Sequence, residues 1–508
     1  MESEPKLDCS EREQTSGCCK RKNDKLQKEI NKHHLLGSAP VLKTLLALSV
    51  PSIISMFTNA LYSTVDSIFI GQYGKNDLAA VSLFMVVEIG VFLALNACFS
   101  VGAAAVMSPA LGEGKIEIAR KGLTYYWIVM ILLNIILPAI FVPCLDPILE
   151  FLGATEQTLE KARQYSLIIS IFPIGYALTA AVGPLLRVEN KANLSMWRQV
   201  ISVLLNLAFD PILIFLVPNG DGGNGLGTQG AAISTVVSQL IVGVWMVWFF
   251  VSSKSGATIN LSLSSIKGSV DWKMIAKICS LGLGQLLSNT GSQIAPIIFN
   301  ITFKRELPAE SVETYQAAMG AITRIFTLIG MPAMGIAMGF VPFVGYNIGK
   351  KQPKRVYLII KYALICMLLI GGFFLAMVEI FAPSICKAFN SDPLFLEIAP
   401  KAMRISISML WMFPFSYLLL GYFQVAQKAL FSLVIGAIQP IGVLILSLVI
   451  PKTSLGIEGI WYVQPIATII STCVSLPLIL NIIAKSKKLA DKEDATEIIE
   501  FEMDDVKV

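Results

Sequence analysis

Apolar runs of about 20 residues or more recur from Val41 to about residue 484, and few architectures accommodate them. A helix needs about 20 apolar residues to cross the hydrocarbon layer, and in lipid its backbone groups must be satisfied internally. Barrel strands are shorter and alternate between apolar and polar residues, and nothing in this chain alternates for long. Of 508 residues, 55% are hydrophobic and 15% charged, which excludes an ordinary soluble globular chain. The expected fold class is therefore all-α integral membrane. Twelve candidate transmembrane helices follow one another. Six lie at about 41–71, 78–110, 122–145, 164–186, 197–218 and 229–251. The second six lie at about 274–303, 315–348, 356–386, 402–426, 428–450 and 459–484.

The divisions between these runs predict five regions: a disordered polar tail at 1–40, a six-helix lobe at 41–253, a linker at 254–273, a second six-helix lobe at 274–484, and a polar tail at 485–508 that turns acidic. Residues 1–40 hold eight Lys or Arg and no apolar core, so a cleavable signal peptide is not expected and the first span should target itself. Orientation follows from charge. With both tails inside, one side carries 30 of the 40 Lys and Arg, the other side nine, and Arg324 falls within a span. Lys115, Arg120 and Lys121, and Lys350, Lys351, Lys354 and Arg355, are the clearest clusters. The tails are thus expected to be cytoplasmic.

The two halves also resemble each other at an offset of about 237 residues. ALGEGKIEIAR, ending span two, matches YNIGKKQPKRV, and RVENKA before span five matches QVAQKA before span eleven. Six spans return the chain to its starting side, so the lobes should be parallel repeats related by a pseudo-two-fold axis along the membrane normal. Transporters of that build hold substrate between their halves.

Within this apolar chain, a few polar residues stand out. QVISVLLNLAFDPILIF places Gln199, Ser202, Asn206 and Asp210 on one helical stripe. A carboxylate at bilayer depth costs about 3 kcal/mol or more, so it is rarely kept without a use. Pro211 disfavours helical geometry at Asp210, and a Pro kink satisfied inside a bundle is the plainer alternative for this stretch. Span one repeats the pattern with Asn59, Tyr62, Ser63 and Asp66, and span six adds Ser234, Thr235 and Ser238. In a packed bundle Asp66, Asn206, Asp210 and Thr235 would face one cavity. Such hard oxygen ligands suit a proton pair or a small cation such as Na⁺. Two neighbouring carboxylates do not both ionise cheaply, so one should exchange a proton. Asp66 at the outer water boundary is the other reading. The second half lacks these acids. Span seven carries Gln285, Ser288, Asn289, Ser292 and Gln293, and span eleven, QPIGVLILSLVIP, has Ser and Ile where Asn and Asp would stand.

VDSIFIGQYG, LAAVS, NLAFDPILIF with GAAISTVVSQ, MPAMGIAMGFVPFVGYNIG and YFQVAQKA resemble motifs of the multidrug and toxic compound extrusion (MATE) family, in order over residues 41–484. The resemblance implies two six-helix lobes, alternating access, and export of organic cations in exchange for H⁺ or Na⁺. It assigns the ion site to Asp66, Asn206, Asp210 and Thr235, and a conformational bend to Pro51. Ser292 stands where many family members carry a span-seven Glu, so the likeness is to the DinF/MepA-like branch.

Glu88 and Arg324 occupy nearly equivalent repeat positions, which suits either a structural ion pair across the lobes or a substrate-facing role. Met331, Met334 and Met338 share a face of span eight that suits either soft cation binding or helix packing. Glu379 is expected near the outer interface. Two adjacent His (His33, His34) and nine scattered Cys support neither a metal site nor a disulfide scaffold. The sequence therefore points to a transporter and not an enzyme, with no cofactor beyond a coupling ion. Its expected partners are small organic cations and lipid, without nucleic acid, and the expected state is a monomer in the plasma membrane. The alternative is a flippase for a lipid-linked sugar, which should line its cavity with several Arg or Lys for pyrophosphate; by sequence only Arg324 qualifies.

Overall fold

The computed structural model describes residues 36–217, 225–252, 259, 261 and 271–505. Much of the expected 1–40 tail, most of the 254–273 linker and the Gly-rich stretch at 218–224 lie outside the described residues. Among the described residues there is no strand. The first lobe contains α1 (Val41–Tyr73) and α2, made of Lys75–Val87 and Ala94–Gly112 joined by a π-helical turn, Glu88–Leu93. It continues with α3 (Ile116–Phe141), α4 (Glu156–Ile171, Ile174–Leu178 and Gly183–Val188), α5 (Ala192–Pro211, extended by the π turn Ile212–Leu216) and α6 (Thr228–Val251). The second lobe holds α7 (Trp272–Glu306), α8 (Ala309–Gly349), α9 (Pro353–Phe389), α10 (Pro393–Ile407 and Phe413–Val425), α11 (Ala429–Val449) and α12 (Ile460–Asp505).

Ten of these helices are long and apolar enough to cross a membrane, and α4, bent by 49°, supplies an eleventh span. The bend follows from Pro173, which forces Phe172 out of helical geometry (φ −117°, ψ 44°). The twelfth, α7, has 35 residues but is too polar to pass the same test, because Gln285, Ser288, Asn289, Thr290, Ser292 and Gln293 fall in its middle.

The repeat is written into the backbone. Gly114 (φ 73°) and Lys351 (φ 56°) close the turns after α2 and α8, and Asn190 and Gln427 (both φ 59°) close those after α4 and α10. Non-glycine residues seldom take positive φ, so three of them matching at the repeat spacing fixes the register. In that register Val443 and Ser447 stand opposite Asn206 and Asp210, which replaces the Ser and Ile expected from the sequence.

Three hydrophobic cores show how the lobes meet. One spans both lobes, joining Leu45, Leu48 and Met107 to Ile278, Phe340 and Phe343 near the end that carries the basic loops. At the other end the cores separate: Ile70, Phe84 and Tyr165 belong to the first lobe, and Phe303, Phe395 and Trp461 to the second. The molecule is thus sealed at its basic end and divided at the opposite end. Small residues make the seal close. A Cβ at Gly102 would collide with the Ile278 carbonyl, and one at its counterpart Gly339 would press on Ser49. The chain entering α1 is part of this end, in contrast to the disordered tail expected up to residue 40. Leu36 is buried, its carbonyl accepts from Asn347 Nδ2 at 3.1 Å, and Arg355 Nη2 donates to the Ala39 carbonyl at 2.8 Å. At the other terminus α12 runs unbroken through the expected tail as far as Asp505.

Candidate functional site

The stripes of α1, α5 and α6 converge on a cavity of about 170 Å³ inside the first lobe, lined among others by Asp66, Glu88, Tyr165, Tyr176 and Asn206. Drug-sized ligands occupy about 300–1,000 Å³, so this space fits an ion with a few waters rather than such a ligand. Asp210 is fully buried and Asp66 half-buried. Their carboxyls lie within hydrogen-bonding reach of each other. The Asn206 amide nitrogen donates to Asp210 Oδ2 at 2.9 Å, while its oxygen accepts from Ser234 Oγ at 2.9 Å and from the Thr235 backbone nitrogen at 3.2 Å. Thr235 Oγ1 lies 3.2 Å from the Tyr62 hydroxyl, and Gln199 Nε2 donates to Asn59 Oδ1 at 3.2 Å. All four residues expected at an ion site therefore meet in one place.

Local backbone departures position the acids. Pro211 cannot donate to the helical ladder, and α5 loosens into a π turn directly after it. The π turn of α2 begins at Glu88, and such turns gather at functional sites. Asp66 Oδ1 is enclosed yet receives no hydrogen bond from the protein. Two carboxyls in contact in an enclosed site require a shared proton or a cation between them.

The remaining expected residues fall elsewhere. Glu88 does not pair with Arg324. It accepts from the Tyr165 hydroxyl at 3.3 Å and from the Tyr176 hydroxyl, both on α4, whereas Arg324 is exposed on α8. The repeat equivalence that suggested the pair places the residues on corresponding helices, which is not the same as facing each other. Met331 is buried, Met334 and Met338 are half-buried on α8, and none of the three lines the cavity. Pro51 is buried in an unbroken α1, on the segment whose Ser49 and Ile53 pack against Gly339 and Gly335 of α8. Glu379 is exposed and 3.7 Å from Arg404.

Sequence reasoning passed over Tyr165 and Tyr176, which hold Glu88, because an aromatic residue on an apolar helix carries no polar signal of its own. It also counted Arg187 and Arg198 as loop-edge charges, yet both are buried, with 7% and 4% exposure.

Known proteins extend the picture. The chain is similar to the multidrug export protein MepA of Staphylococcus aureus (strain bovine RF122 / ET3-1), 22% identical over 462 residues, covering 90% of this chain and 97% of that protein. The MepA of Staphylococcus haemolyticus (strain JCSC1435) is likewise 22% identical over 460 residues, with the same coverage. Among solved structures, an outward-facing multidrug resistance MATE family transporter of the MOP superfamily superposes with a TM-score of 0.78 at 23% identity, over 90% of this chain and 98% of that one. A MOP superfamily transporter from Pyrococcus furiosus gives a TM-score of 0.80 at 23% identity, over 89% and 98%. At that identity the likeness concerns the fold, which is twelve helices in two lobes. The MatE family profile matches residues 51–212 and 312–448, more than half of the chain and parts of both lobes, and the chain therefore belongs to the MatE family of membrane transporters.

Proposed function

We propose that this protein is a secondary active antiporter that exports amphipathic organic cations in exchange for H⁺ or Na⁺. The observation that carries the reading is the pairing of Asp66, which lines a cavity too small for a drug-sized ligand, with the fully buried Asp210 beside it. Entry of a proton or Na⁺ there neutralises the pair, and release restores the repulsion, so the packing of α1 against α5 and α6 depends on ion occupancy. Asn206, Ser234 and Thr235 complete the oxygen-rich wall. α1 also forms part of the seam with α8, through Ser49 and Ile53, so a change at Asp66 has a continuous helix through which to act on the lobe contact. The two lobes would then alternate between this arrangement, sealed at the basic end, and one sealed at the other. The MepA relatives are named for multidrug export, which supports the cargo class. The excess of Lys and Arg on one side supports a cytoplasmic basic end and cytoplasmic tails, and the plasma membrane is the working location in this reading.

The deciding measurement is efflux of a fluorescent organic cation from proteoliposomes, driven in separate trials by an imposed pH gradient and an imposed Na⁺ gradient. One of the two should accelerate movement against the cation's own gradient. Equal rates with and without both gradients would rule out antiport.

A further inference from the structure

Two arginines of the first lobe sit where the fold asks for no charge. Arg187 ends α4 and Arg198 lies in the second turn of α5, both more than nine-tenths buried. Among the described residues neither forms an ion pair with an acid. Arg198 Nη2 donates to Gln199 Oε1 at 3.3 Å, while its Nε and Nη1 are enclosed without an acceptor. The two groups converge. The point where Gly183 lacks a side chain is 3.4 Å from Arg187 Nη1, 3.6 Å from Arg198 Nη2 and 3.3 Å from Ser195 Oγ.

Burying one unpaired guanidinium is unfavourable, and burying two side by side is worse. The internal repeat supplies the control. In the register set by the turns, the counterparts of Arg187 and Arg198 are Gln424 and Ile435, both buried and neutral. The same position in the same fold is therefore built without charge. Location adds a constraint. Tyr417, on α10 of the opposite lobe, lies within electrostatic range of Arg187, and the last segment of α4 packs against α2 and α8. The arginines thus border the seam that seals the basic end.

We propose that Arg187, Arg198 and Ser195 form a binding site for an oxyanion, a phosphate or carboxylate group seated beside Gly183 in the lobe seam. Two guanidinium forks offer paired N–H donors matched to such oxygens, and the serine hydroxyl adds a third direction. A bound anion neutralises the charge that the sealed seam encloses, so it favours the arrangement seen here over one in which the lobes part at this end. By linkage, parting the lobes weakens its hold. The anion is either free in the aqueous phase or the headgroup of an anionic lipid.

The test uses the full-length protein purified in a neutral detergent, with thermal unfolding followed in sodium phosphate against sodium chloride at equal ionic strength. A second arm adds short-chain phosphatidic acid against short-chain phosphatidylcholine. A saturating specific anion should raise the midpoint of the wild type by about 1–3 °C over its control. A response to phosphate identifies a free anion, and a response to phosphatidic acid alone identifies a lipid headgroup. Arg198→Gln and Arg187→Gln should each weaken the response at least tenfold in half-saturating concentration. Should those variants fail to fold, Gly183→Ala puts a methyl group 3.3–3.6 Å from all three groups while keeping both charges, and it should weaken the response about tenfold. No response in either arm for the wild type, or an unchanged half-saturating concentration in Gly183→Ala, overturns the proposal.

Discussion

The two lobes share a path through space and differ in what they place along it. In the first, a stripe on α5 ends in a buried acid held by an amide and faced by a second acid on α1. In the second, the equivalent positions on α11 are Val443 and Ser447, and the Ser447 hydroxyl is spent on the Leu444 carbonyl at 2.8 Å. Towards the divided end the second lobe is filled by Phe303, Tyr315 and Trp461, with ring centroids 5.7–6.0 Å apart. Towards that end one bundle has an oxygen-lined cavity with two acids, and the other an aromatic cluster, its buried hydroxyls Ser416, Ser471 and Ser475 bonding one another without an acid. The helical fold is indifferent to the choice, so the difference reflects what each lobe does. Under the proposed antiport, the first lobe would exchange the charge and the second would give it a stiff body to move against.

The largest expected effect breaks that contrast at its centre. Asp210→Asn keeps the size and most hydrogen bonds of the side chain but cannot titrate, so gradient-driven export should fall on the order of 100-fold with normal expression and insertion. Asp66→Asn should match it, and the double variant should be no worse than either, because the pair acts as a unit. Glu379→Gln in the second lobe should export normally. A proteoliposome efflux series reads all four, and wild-type rates in Asp210→Asn with loss in Glu379→Gln would move the ion step to the second lobe.

Next in size is the movement between lobes. Cys98 of α2 and Cys279 of α7 face each other across the seam, and Cys98 Sγ is 3.7 Å from the Cys279 carbonyl. A mild oxidant should join them, stop export in proteoliposomes, and release it again on reduction. Retained export in a fully cross-linked sample, judged by mass spectrometry of the linked peptides, would mean that the seam at this depth stays closed through the cycle.

A smaller loss is expected from Asn206→Ala. Water can replace the amide, so coupling should weaken by about 3- to 10-fold rather than vanish, the scale of one hydrogen bond to a charged group. The smallest effects concern Glu88 and Arg324. Because Glu88 is held by Tyr165 and Tyr176, reversing both charges should rescue neither single reversal. Arg324→Ala should change stability by no more than about 0.5 kcal/mol. Rescue in the double reversal would show that the two meet in another conformation.

The sequence by itself determined the helical membrane fold, the two-fold repeat and which polar residues gather inside the first lobe. Each rests on a local or periodic constraint: twenty apolar residues must span as a helix, matching loop motifs recur at one spacing, and a costly intramembrane acid marks its own helix face. Only the tertiary structure decided which faces look at one another. Near-equivalence in a repeat relates Glu88 to the turn of α8 that carries Arg324 by rotation, and rotation moves corresponding residues apart as readily as together. Arg187 and Arg198 read as topological charges because a count along the chain sees distance from a span's end and not what packs above it. Burial depends in part on the opposite lobe, where Tyr417 comes near Arg187, and that approach is set by close helix crossings such as the one at Gly102. The tail before Val41 illustrates the same limit. Its composition is that of a disordered arm, yet Leu36 is buried because Asn347 and Arg355, more than 300 positions away, offer its carbonyl two donors.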